Sequence, residues 1–271
     1  PLWSRGLGDV YKRQVPMSVN AAWFAGLLAV SSLFALPAQA ELPPDYKVVL
    51  QTENFPPFNM AEGEKNFARD ANIQGVSTTI VREMFKRAGI GYTMTLRFPW
   101  SRVYDDTLAR ANYGLFSTAM SEARRPLFKW VGPIAKVEGV LLAAPGSKIE
   151  NLTSLEEAAK YRIGSYKDGA VSQALERAGL QPTNALRDQE NIAKLTGGKI
   201  DLWATTDPVW RYHAKQAGMG GLRTVLVIDR SDMYLALNLE TPDEVVTRLQ
   251  QALDQMKNEG YGTCNKHPEL C

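Results

Sequence analysis

Apolar residues along this chain fall into short runs of two periods, and the two kinds alternate. Lys47–Thr52 (KVVLQT) is a compact apolar run of strand length, and Tyr92–Phe98 (YTMTLRF) alternates with a period of two. Between them Ile80, Val81, Met84 and Phe85 recur at helical spacing, with Ser77 as candidate N-cap and Ala88-Gly89 as the stop. Pro99-Trp100-Ser101-Arg102 opens a second helix that reaches about Ala111, and Leu115-Phe116 is a short strand after it. Ala135–Ala144 predicts a long strand, Thr153-Ser154-Leu155-Glu156 a capping box for a helix to about Lys160, and Arg162–Ala170 a strand with a glycine turn. Helices are predicted over Val171–Ala178, Asn191–Leu195 and Val209–Ala217, with a strand over Ile200–Thr205. Two separate strands, Leu222–Ile228 and Met233–Leu239, precede a final helix from Thr241 that carries Val245, Leu249, Leu253 and Met256 on one face. This βαβα alternation predicts an α/β fold with a mainly parallel sheet and covering helices.

The first forty residues stand outside that pattern. Ser4–Gln14 (SRGLGDVYKRQ) reads as an in-frame translation of a sequencing-library adapter, so residues 1–14 are expected to be a scar. Residues 15–40 are expected to be a signal peptide. Their apolar stretch Ala21–Leu36 falls short of the roughly 20 residues a membrane span needs, and it ends in Ala38-Gln39-Ala40. Cleavage there starts the mature chain at Glu41 and places it in the periplasm. No cysteine follows the cleavage site, so no lipid anchor is expected.

Charge and cysteine content narrow the function classes. The whole chain carries +2, and Arg5, Lys12 and Arg13 against Asp9 account for both charges, which leaves the mature chain neutral. A neutral chain argues against nucleic acid as a partner. A mature length of about 230 residues allows one large or two small domains. The two cysteines, Cys264 and Cys271, can close a small tail loop in an oxidising compartment, remain thiols, or pair between chains. No metal or other cofactor is expected.

The chemistry concentrates in Leu115–Pro133 (LFSTAMSEARRPLFKWVGP). A strand that ends in small residues such as Ser117 and Ala119 exposes backbone N–H groups. Arg124, three residues after the Ser121 hydroxyl, adds a bidentate fork, and together they make a socket for a carboxylate. Glu53-Asn54-Phe55-Pro56-Pro57-Phe58 is a rigid loop at a strand end, where open α/β sheets place ligands. Phe58 suits a cleft wall or a plug over the core, and Trp100 suits the cleft or a core anchor. The helix start at Gly169-Ala170 offers free N–H groups to a carboxylate. Asp207-Pro208 fits a helix cap as well as a ligand contact.

Ser121-Glu122-Ala123-Arg124 resembles the Thr-x-x-Arg motif of bacterial solute-binding protein family 3, the polar amino-acid binders of ABC transporters. Pro56-Pro57-Phe58 and Phe128–Pro133 resemble that family's first loop and the strand toward its hinge. The resemblance covers Lys47–Gly262. It implies a venom-flytrap fold: two lobes joined by two strands, with a ligand cleft between them. First-lobe segments 41–137 and 231–271 would flank a second lobe at 138–230. It further implies that Arg124 grips a ligand α-carboxylate and Asp207 an α-ammonium, with Phe58, Trp100, Ser117, Ala119, Gly169 and Ala170 around the ligand. Partners would be a small polar solute, an amino acid or analogue, and the membrane subunits of an importer, with the chain itself a monomer. Two departures stand out: Ala119 replaces a hydroxyl residue, and Asp168-Gly169-Ala170 replaces a Gly-Thr-type turn. Two other readings use the same scaffold. One is a cyclohexadienyl dehydratase, with Glu138, Glu190 or Asp168 as acid. The other is a ligand sensor. Hydrolase triads are unsupported, because His213 falls mid-helix and His267 in the tail.

Overall fold

The computed structural model describes residues 42–263 and 265–268. The expected scar, the expected signal peptide and both cysteines lie outside the described residues. In chain order the strands are β1 (Lys47–Thr52), β2 (Met60–Ala61), β3 (Phe67–Arg69), β4 (Ile73–Gln74), β5 (Gly91–Arg97), β6 (Tyr113–Ala119), β7 (Lys129–Ala143), β8 (Ile163–Tyr166), β9 (Thr183–Ala185), β10 (Leu202–Asp207) and β11 (Arg223–Leu237). The helices are α1 (Val76–Ala88), α2 (Trp100–Ala109), α3 (Leu155–Ala158), α4 (Ala170–Arg177), α5 (Glu190–Thr196), α6 (Val209–Gln216) and α7 (Asp243–Asn258).

Nine strands form one mixed ladder in the order β3-β5-β1-β6-β11-β7-β10-β8-β9. In the first lobe β1 runs parallel to both β5 and β6. In the second, β10 runs parallel to β8, and β8 to β9. The antiparallel ribbon of β7 and β11 links the two sets. Its Lys129–Val131 end pairs with Leu235–Leu237, beside β6, and its Glu138–Ala143 end pairs with Arg223–Arg230, beside β10. The two strands expected over Leu222–Ile228 and Met233–Leu239 are therefore one. Register shifts at Thr224/Leu226, Val227/Asp229 and Met233/Leu235 break its alternation, and this is why it reads as two in sequence.

Each lobe has its own core. Val48, Leu50, Ile80, Met84, Phe85, Leu96 and Phe116 pack with Leu249, Leu253 and Met256 of α7, so the last helix completes the first lobe. Burying each such side chain is worth roughly 1.5–3 kcal/mol. In the second lobe, Val140 and Leu142 face Ile192, Trp203 and Trp210. Leu141 and Ala143, on the opposite face of the same strand, meet Leu175, Leu202 and Val225. Period-two alternation thus feeds two apolar layers, one on each side of the sheet.

The start of α1 differs from expectation. Gly75, not Ser77, is the N-cap, and its φ of +119° suits glycine alone. The first N–H groups of the helix bond the Pro57 and Phe58 carbonyls at 3.1 and 2.9 Å, so the loop between β1 and β2 is fastened to α1. Gly89, with φ of +63°, ends the helix as expected.

Candidate ligand-binding site

A cavity of about 110 Å³ lies between the lobes. Glu53, Phe55, Trp100, Ser117, Ala119 and Arg124 line it from the first lobe, and Ser165, Tyr166, Gly169, Ala170, Asp188 and Thr206 from the second.

Arg124 sits in the turn after β6, where its N–H bonds the Ser121 carbonyl at 3.1 Å and the Ser121 hydroxyl at 3.3 Å. The side chain is only 4% exposed. Its guanidinium lies 5.8 Å from the Trp100 ring centroid and 5.3 Å from that of Tyr104, a cation–π setting that holds the fork in place. Nη2 crosses to the second lobe and donates to the Asp168 carbonyl at 3.3 Å and to Gln173 Oε1 at 3.2 Å. Asp168 adopts a left-handed backbone, with φ of 59°. Beyond it, Gly169 is the N-cap of α4 and has no side chain to satisfy the first-turn N–H groups, and that turn lies on the cavity wall.

Glu53 directly follows β1 and is buried. It accepts a hydrogen bond from the Tyr166 hydroxyl of the second lobe. Burial pushes its carboxyl up to about 8, against the Tyr166 bond and the field of Arg187. Asn59 braces this end of the site: its Nδ2 donates to the Glu53 carbonyl and its Oδ1 accepts from the Ser117 hydroxyl. Asp188 accepts from Trp203 Nε1 at 2.7 Å and from the Thr205 hydroxyl, and burial raises its carboxyl to about 6. His213 is also on the cavity wall, 3.6 Å from Glu64, and burial lowers its imidazole to about 4, so it is neutral near pH 7.

The structure brings Trp100, Ser117, Ala119, Arg124, Gly169 and Ala170 onto one cavity and leaves out the other two expected residues. Phe58 is buried at 1% exposure in the first-lobe core. Its ring stacks 5.4 Å from that of Phe55, and Phe55 is the aromatic that reaches the cleft. Asp207 is off the cavity wall: its carboxylate accepts from Trp210 Nε1 at 2.9 Å and pairs with Arg211 at 2.7 Å. A clamp of Arg124 against Asp207 is not assembled: Asp207 is the last residue of β10, and its carboxylate turns to Trp210 and Arg211 of α6 rather than to the cavity. Glu138, Asp168 and Glu190, weighed as acids for a dehydratase, are also off the wall, and Glu138 pairs with Arg230 at 2.7 Å. Glu53, Ser165, Tyr166 and Asp188 escaped the sequence reading as site residues, and His213 entered it only as a histidine without a triad. The signal available was position, since Glu53 directly follows one parallel strand and Tyr166 ends another.

Among the described residues no group of three or more His, Cys, Asp or Glu is placed to hold a metal ion, and no helix is long and apolar enough to cross a membrane. No protein-family model and no curated protein sequence matches the chain. Solved structures do match. The arginine-, lysine-, histidine-binding protein ArtJ from Geobacillus stearothermophilus is 18% identical, with a TM-score of 0.66 over 79% of this chain and 90% of that one. An ABC uptake transporter substrate-binding protein from Streptococcus pneumoniae with bound histidine is 14% identical, with a TM-score of 0.67 over 79% and 88%. A histidine kinase sensor domain with similarity to periplasmic binding proteins is 17% identical, with a TM-score of 0.68 over 79% and 91%. In architecture the chain shares the two-lobed α/β fold of the periplasmic binding proteins.

Proposed function

We propose that this chain is the periplasmic solute-binding component of an ATP-driven importer and that it closes on a small polar solute, an amino acid or close analogue. The observation that carries this reading is Arg124: a buried guanidinium, stacked on aromatic rings, facing the uncapped start of α4 across an interlobe cavity. A ligand carboxylate there meets a bidentate fork from one lobe and helix N–H groups from the other. Neither lobe supplies both, so the solute binds the closed form better and populates it. A micromolar solute releases about 8 kcal/mol, enough to move a two-state hinge almost completely. Glu53 takes the place expected of Asp207 as receptor for a cationic group, and Phe55 and Trp100 cover the solute's apolar part. The similar solved proteins, an arginine-, lysine-, histidine-binding protein and a substrate-binding protein with bound histidine, support an amino acid as solute.

Thermal-shift screening against amino acids, opines, polyamines and organic acids tests the reading. A carboxylate-bearing class should raise Tm, and Arg124→Ala should weaken its binding by about 2–5 kcal/mol, the cost of removing one side of a buried charged pair. Unchanged affinity in Arg124→Ala removes the guanidinium from the site. Incubation with prephenate separates a binder from a dehydratase, since only an enzyme turns it over.

A further inference from the structure

We infer that Ser165 donates its hydroxyl hydrogen to the anionic end of the solute, as the second lobe's side-chain contact beside the first turn of α4. This rests on the solute-binding reading and adds a residue that the motifs did not point to. Among the described residues, four buried serine and threonine side chains stand on the cavity wall: Ser117, Ser165, Ser172 and Thr205. Ser117 is committed to Asn59, Ser172 to Glu176 and Asn184, and Thr205 to Asp188. Ser165 is 0% exposed, and its Oγ has no hydrogen-bond partner among the described residues.

A buried hydroxyl without a partner is a net loss to the fold, because it has given up water and received nothing. Its place identifies what completes it. Ser165 lies in β8, in register with Ala204 and Asn184, four residues before the Gly169 cap. Arg124 reaches over the same cap to the Asp168 carbonyl. The guanidinium and the helix N-terminus contribute positive potential beside that cap, and the carboxylate of Asp188 on the same wall is committed to Trp203 and Thr205. A group drawn to that potential is an oxyanion, which accepts hydrogen bonds, so the hydroxyl acts as donor. The solute class is therefore one whose carboxylate presents an oxygen to β8 as well as to Arg124.

The test compares wild type with Ser165→Ala in two measurements. Melting of the protein alone should leave the alanine variant at or above wild type, because an unsatisfied hydroxyl has been removed. Calorimetric titration with L-arginine, L-histidine and L-glutamine should show at least a tenfold loss for whichever of them binds. Agmatine and histamine, the same cations without the carboxylate, should show no change. An alanine variant that melts below wild type overturns the inference, since the hydroxyl then has a partner inside the fold. So does unchanged affinity for a bound amino acid. Should wild type bind none of the three, they are excluded as the solute, and the same titration is made with the carboxylate-bearing compound that raises Tm in the thermal-shift screen: a tenfold loss in Ser165→Ala supports the inference, and unchanged affinity or a lower Tm of the variant overturns it.

Discussion

Arg124 faces two aromatic rings and donates to two acceptors of the second lobe, which separates it from lysine. A lysine keeps the charge but loses the planar fork and the contact with Trp100 and Tyr104. Arg124→Lys should therefore lose at least about tenfold in solute affinity while melting close to wild type, as titration and calorimetry would show. Glu53 makes a pH prediction. Its carboxyl stands at about 8 in the folded protein against an ordinary value of 4.5, so the folded chain keeps a proton that the unfolded chain releases. The stability this confers is complete below the ordinary value and is lost as pH rises through about 8. Denaturation followed from pH 5 to 8 should show stability falling in wild type and a shallower fall in Glu53→Gln. A solute that presents a cation to Glu53 displaces the same proton, so its affinity should rise with pH across that window. Arg124 was legible because its neighbours form a spaced motif. Glu53 and Ser165 were not, because burial and a missing partner belong to the folded chain and leave no local pattern.

At the scale of elements, the loop between β1 and β2 depends on a glycine outside it. A Cβ on Gly75 would stand 2.3 Å from the Phe58 carbonyl oxygen, and its φ of +119° is foreign to L side chains. Gly75→Ala should destabilise the protein by roughly 1–3 kcal/mol or more, read by urea denaturation, and should loosen Phe55 from the cleft. Helix periodicity and the Gly89 stop were readable because they are local. The face on which a residue emerges near a strand end was not. Phe55 and Phe58 differ by three positions in one loop, and the carboxylate of Asp207, at the end of β10, turns to Arg211 while its neighbour Thr206 lines the cleft. The register shifts in β11 hid its continuity for the same reason: they interrupt the period on which the reading depends.

Across the whole molecule, the lobes meet through Tyr166 and Glu53, Arg187 and Asn66 at 2.8 Å, Gln189 and Glu64 at 3.0 Å, and the Arg124 contacts. The exposed polar pairs among these contribute little. The half-buried phenol–carboxyl contact is the one whose removal should tell. Tyr166→Phe should shift the population toward an open form, seen as a larger radius of gyration by small-angle X-ray scattering without added solute. An unchanged radius would place the closing force elsewhere.

The β7–β11 ribbon leaves the first lobe and returns to it, and α7 seals that lobe only at the end of the chain. During synthesis the intervening lobe emerges as one uninterrupted stretch, with every strand and helix of its two apolar layers at hand. The flanking lobe must wait for the last helix. Pulsed hydrogen exchange on refolding protein should accordingly protect Leu202 and Trp203 before Leu50 and Met84, so that the half of the molecule begun first is finished last.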